Sequence, residues 1–254
     1  MTNSLDISNL SLLLSTSLLF IAIFIDYKEK LGLGNDIFIS GLRAVVQLFI
    51  IGYVLSYVIQ LDNVLVTLAM VLFIVYNASY NAHKRSDGIP NSLIISLSSI
   101  GFGTAITLGL LVLTGVIEWT PSQIVPITGM IASNAMVALG LTYQALNNKF
   151  KDQRQHVLEK LALGANEKQA SMSIIRSSVK TGMSPSIDQT KTVGLVSLPG
   201  MMSGLIFAGV DPTEAIRYQI VVMFMLIGVT SIASFIASYM AYKQFYNERK
   251  QLII

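Results

Sequence analysis

A chain of 254 residues that is 53% hydrophobic and only 12% charged carries about half the charge of a soluble domain, where about 25% is usual. A net charge of +3 without a single Cys excludes a disulfide framework and any thiolate metal site. In so apolar a chain the basic excess belongs to loops at a membrane face rather than to a nucleic-acid surface. Apolar runs recur along the whole length, so lipid is the solvent for most of it.

Residues 1–9 contain no positive n-region and no A-x-A site follows the Leu10–Ile25 run, so no cleavable signal peptide is expected. The first span is expected over roughly 8–26 and the second over 36–59. The second carries Arg43 and Gln47 four residues apart, hence on one helix face. Arg43 lies ~10 Å along the helix from Asp36; it either snorkels to the surface or lines a polar path. Further spans are expected over roughly 61–80, 92–117 and 121–145. The fourth places Gly101, Ala105 and Gly109 on one face, a spacing that lets helices approach closely in lipid. The fifth holds Asn134 near its middle, with Thr128 and Ser133 nearby, suited to a bond to a neighbouring helix or to substrate contact.

A hydrophilic loop, 147–189, follows. Val157, Leu158, Leu161, Ala162 and Ala165 form an apolar stripe, and Gly164-Ala165-Asn166 reads as a helix stop. A second amphipathic stretch sets Ile174, Ile175 and Val179 opposite Arg176 and Lys180, and Pro185 is expected to end it. Such a loop either lies on anionic lipid or docks a short helix into a partner's groove. The sixth span, 190–209, is interrupted by Leu198-Pro199-Gly200-Met201-Met202, with Gly200 and Gly204 one helical step apart; the seventh covers 215–242. The result is one all-α integral membrane domain, 1–254, with seven transmembrane helices.

Orientation follows from the Lys and Arg residues. Of the seventeen, two follow span one, two follow span three, eight follow span five and three follow span seven. The positive-inside rule then puts the N-terminus outside and the C-terminus inside a plasma or inner membrane.

Glu159, Leu161, Ala162, Gly164 and Ala165, with Ile174 ten residues after the glycine, resemble the "EAA" loop of ABC-transporter permeases. In that family the loop is a coupling helix seated in a cleft of a separate ATPase subunit. The chain departs from it at Arg176-Ser177-Ser178, where a Leu-Pro pair is usual. Three blocks, GLRAVVQLFIIGYVL (41–55), PITGMIASNAMVALGL (126–141) and TKTVGLVSLPGMMSGLIFAGVDPTEAIRYQIVVMF (190–224), resemble the FetB-type iron-export permease family, which includes plant relatives linked to aluminium tolerance. The resemblance implies a homodimeric permease in membrane lipid, with no cofactor of its own, and a cytosolic ABC ATPase subunit that binds ATP and Mg. Its implied cargo is iron or a related metal, moved outward.

The residues themselves hold no P-loop and no nucleophile constellation, so the chain is read as a permease and not an enzyme. His83 and His156 read as solvated, and Asp26, Asp36 and Glu118 as span-end carboxylates in reach of water. No cage for a first-row metal is evident. The metal passes weakly coordinated, or a complexed species moves, or the cargo is a non-metal solute such as a lipid or sugar-nucleotide-like species; a scaffold that recruits a cytosolic partner without transport is a further alternative. Arg43, Gln47, Asn134, Pro199, Gly200, Met201 and Met202 are the candidate path residues. The Pro199-Gly200 break would serve as a lever between loop and membrane.

Overall fold

The computed structural model describes residues 9–253, so the reading of the first eight residues lies outside it. Among the described residues the chain is helical, apart from two isolated β-bridges. In chain order the helices are α1 (Asn9–Ser15), α2 (Ser17–Glu29), α3 (Gly34–Leu61), α4 (Val64–Lys84), α5 (Ser92–Leu113), α6 (Pro121–Asp152), α7 (Arg154–Ala162), α8 (Glu167–Thr192), α9 (Gly200–Phe207) and α10 (Pro212–Ala241), closed by a 3₁₀ turn at Tyr242–Phe245.

Five helices, α3, α4, α5, α6 and the α10 segment, are long and apolar enough to cross a membrane. The expected first span is two shorter helices interrupted at Thr16. Asp26, expected to meet water, is buried; its Oδ1 accepts from the Leu33 N–H at 2.7 Å and so ties α2 to the start of α3.

The core lies among α4, α5, α6, α8 and α10. Ala233, Ala237 and Ala241 are fully buried on one face of α10, and Ala135 and Ala138 on α6. Small side chains at this spacing let backbones meet closely where lipid offers no hydrophobic drive between helices. The outward faces of α3, α4 and α5 present large apolar residues, among them Phe49, Leu72, Phe73, Phe102 and Leu110. That is the dress of a lipid-facing wall.

The 147–189 interval is not one peripheral loop. Residues up to Asp152 complete α6, α7 packs on α6 and α8 through Val157, and α8 packs lengthwise between α6 and α10. Pro185 does not end α8, which continues to Thr192 with the proline on its exposed side. At one end of the bundle Phe150 of α6 stacks on Phe245 at 4.2 Å. At the other, Ser122 and Gln123 of α6 border a cavity with Tyr218 of α10. Since α6 finishes at the α7 end and α10 starts at the opposite end, the segment between them must return along the bundle. Polar α8 and short α9 make that return, so residues 190–209 are not a continuous sixth span.

Close packing depends on glycines other than those the spacing picked out. A Cβ at Gly182 would lie 2.2 Å from Thr142 Oγ1, 2.6 Å from Ser234 Oγ and 2.8 Å from the Ala138 carbonyl. In α5 it is Gly103, against Val229, that sits tight. Gly109, Gly200 and Gly204 have open space around the missing Cβ, and Gly101 meets only Val75 at 3.9 Å.

Candidate functional site

The α7–α8 elbow is built by local signals that agree. The Gly164 N–H donates to the Leu161 carbonyl and the Ala165 N–H to the Lys160 carbonyl, both at 3.0 Å, with Gly164 at φ +92°. This is a Schellman closure, which needs a residue tolerant of positive φ. Asn166 then opens α8 with a capping box: its Oδ1 accepts from the Gln169 N–H, and Gln169 Oε1 accepts from the Asn166 N–H. The elbow is therefore fixed although it projects from the bundle. At its tip Leu163 is 87% exposed, a large apolar side chain that sequence pattern did not single out. Val157 is buried, Glu159, Ala162 and Gly164 are exposed, and Leu161 and Ala165 are half-buried. Ile174 is fully buried in the bundle core. Its part is to seat α8, and it offers no surface to a partner.

Behind the elbow, Tyr246 and Ser171 share a 2.6 Å hydroxyl bond. Burial, the largest influence, raises the Tyr246 phenol above its ordinary value and the Ser171 bond partly offsets this. Lys250 lies 3.7 Å from Glu167. These contacts tie the C-terminal segment to the start of α8.

The other candidate residues fall in three places. Arg43 and Gln47 are exposed on α3 without a hydrogen bond or ion pair to any described residue. Asn134 is half-buried and donates to the Met130 carbonyl of its own helix at 2.9 Å, so it does not bridge to a neighbour within the chain. Pro199 precedes the first turn of α9, where its fixed φ suits a helix start. Gly200 is exposed, Met202 is buried, and Met201 borders a cavity of about 320 Å³ with Met130, Met225 and Pro126.

The exposed face of α6 differs from the lipid-facing wall. It presents Ser122, Pro126, Ser133, Val137, Gln144 and Asn148 in register along the helix, with Val137 its one large apolar side chain. A central helix with a small, polar exposed stripe is unsuited to lipid and suited to a water-filled path or a second protein surface. Near the α7 end this stripe opens into a cavity of about 400 Å³ bordered by Arg85, Asp87, Gly140, Gln144, Asn147 and Asn148. His83, expected to be solvated, is half-buried near the end of α4, its Nδ1 2.7 Å from Ser92 Oγ. Among the described residues no three His, Asp or Glu side chains converge as metal ligands.

A family model described as "Uncharacterised protein family (UPF0014)" matches residues 9–246. The chain belongs to the UPF0014 family. Within it, the chain is 52% identical over 252 residues, 99% of its length and 97% of the relative's, to a protein of Escherichia coli K12 named "Probable iron export permease protein FetB". It is 38% identical to the UPF0014 membrane protein STAR2 of Oryza sativa, over 94% of this chain and 84% of that one. It is 37% identical to the Arabidopsis thaliana protein ALUMINUM SENSITIVE 3, over 91% and 85%. No solved structure matches the chain. With its several apolar helices, this UPF0014 member is a multi-pass membrane protein.

Proposed function

We propose that the chain is the permease subunit of an ATP-driven transporter that exports iron, with ATP hydrolysed on a separate cytosolic subunit. The observation that carries the reading is the elbow: a rigid turn that holds Leu163 87% exposed at the end of a membrane protein. An apolar anchor on a preorganised helix end is the form that docks into a groove on another protein. A helix meant to lie on lipid would instead spread its apolar residues along one side, whereas Val157 faces inward. The absence of a P-loop in the sequence is in keeping with nucleotide chemistry on a partner, and the near full-length match to a protein named as an iron export permease supports the cargo. On this reading the α7 end is cytoplasmic, where Lys84, Lys149, Lys151, Lys160 and Lys243 gather. Two copies enclose the path along the polar stripe of α6.

Docking moves α7, and α8 carries the motion inward because the elbow is stiff and α8 runs between α6 and α10. Gly164→Val forces a β-branched residue into positive φ, and Leu163→Glu removes the anchor. Both should still insert and purify, yet lose co-purification of a co-expressed ATP-binding subunit and leave cells overloaded with iron. If both variants retain the subunit and its stimulated hydrolysis, the elbow is not the docking site.

A further inference from the structure

Resting on that reading, we infer that the cavity at the head of the α6 stripe receives the cargo as an oxyanion complex of the metal, held through carboxylate or phosphate oxygens, rather than as a bare cation. Arg85 ends α4, and its side chain lies flat across α6 at Gly140. A Cβ there would stand 2.9 Å from Arg85 Cδ and 3.6 Å from Nη1, so an alanine would push the Arg85 side chain off its present course along α6. The guanidinium makes no hydrogen bond or ion pair to any described residue. Its five donors match carboxylate and phosphate oxygens in pairs.

Val137 and Leu141 supply an apolar side to the cavity, and amides supply much of the rest. Gln144 and Asn148 add amides from the exposed face of α6. Asn147 is committed elsewhere: its Nδ2 donates to the Ser86 carbonyl at 2.9 Å and weakly to the Asp87 carbonyl at 3.4 Å, pinning the α4–α5 turn. Asp87 is the one acid bordering the cavity and forms no ion pair with Arg85. A bare cation would meet one carboxylate opposed by a guanidinium, far short of a cage. A chelated metal offers oxygens to Arg85 and the amides while its cationic centre faces Asp87. At about 400 Å³ the space is of small-molecule size.

The full chain in zwitterionic-lipid nanodiscs, dialysed against radiolabelled ferric citrate, citrate, inorganic phosphate, or ferrous ion alone under reducing conditions, tests this. Ferric citrate should be retained, and Arg85→Gln should weaken it about tenfold or more. Gly140→Ala, which displaces the side chain and keeps its charge, should weaken it too, and Arg85→Lys should keep part of it. Ferrous ion alone held as well as ferric citrate, with Arg85→Gln indifferent, would overturn the inference, as would failure to retain any of the oxyanions. Loss of the ferric citrate signal in discs of anionic lipid would also overturn it, by giving the cavity to a lipid headgroup. Co-purification of the ATP-binding subunit, followed in the same preparations, should not change. It reports on the permease reading independently, so the two can fail separately.

Discussion

Replacing Gly182 with alanine sets two effects of opposite sign against each other. By intrinsic propensity the change favours the helix, since glycine in a helix interior costs about 0.8–1 kcal/mol relative to alanine. In α8, however, the new Cβ would arrive 2.2, 2.6 and 2.8 Å from Thr142 Oγ1, Ser234 Oγ and the Ala138 carbonyl. Ordinary contact begins near 3.4 Å, so α8 would have to withdraw from α6 and α10 by roughly 1 Å. One of the three obstacles is backbone and the other two are short, buried side chains. Overpacking of this kind typically costs about 1–3 kcal/mol, which exceeds the propensity gain over most of its range. Gly129 is the matched control, a helical glycine of α6 with nothing within 4 Å of its missing Cβ. Thermal unfolding of purified variants in one detergent, followed by size-exclusion fluorescence of Trp119, separates the effects. The net loss is up to about 2 kcal/mol, so Gly182→Ala should lower the apparent midpoint by up to roughly 8 °C at about 2–4 °C per kcal/mol, whereas Gly129→Ala should leave it equal or higher. Equal shifts in the two variants would refute the close approach of α8 to α6.

Two further outcomes follow from the basic end. Asn147→Ala strips hydrogen bonds from the Ser86 and Asp87 carbonyls in a buried setting. It should cost about 1–3 kcal/mol and speed hydrogen exchange at residues 85–91 above all, with exchange uniform across the chain as the contrary result. The Tyr246 phenol, raised by burial, favours its protonated form in the folded chain. Its contribution is therefore complete below the unfolded value of about 10 and declines as pH rises beyond it. Tyr246→Phe should remove that part of the alkaline loss of stability seen in a midpoint-against-pH series, and an unaltered alkaline limb would count against the burial of the Tyr246 ring.

Sequence legibility followed the physics of each signal. The spans α3 to α6 and α10 were readable because lipid imposes a long apolar run on any helix it surrounds. The elbow was readable because the Gly164 helix stop acts within a few residues of chain. What failed was whatever depended on neighbours distant in sequence. α8 looked like a surface loop because its lining is supplied by α6 and α10 and not by its own hydropathy, and Pro185 was given more force than it has when it sits on the outer side of a helix held on two others. Ile174 was counted with the docking residues through its spacing from Gly164 in the resemblance to a coupling loop, and that spacing cannot say which side the bundle lies on. Arg85 and Gly140, 55 positions apart, carry no joint local signal. Leu163 was the one residue within reach of pattern alone, an apolar residue next to a C-terminal glycine in a polar stretch.

The polar character of α8 also constrains how the protein is made. A segment bearing Glu167, Lys168, Arg176, Lys180, Asp188 and Lys191 would not partition into a bilayer alone, because each central charge costs about 2.5–3.5 kcal/mol on insertion scales. Its place is prepared by two apolar helices, and α10 leaves the ribosome after it. Half of the lining of α8 therefore exists only once α10, which follows it in the chain, has been made. The element that links the elbow to the interior is the last part of the bundle to be completed.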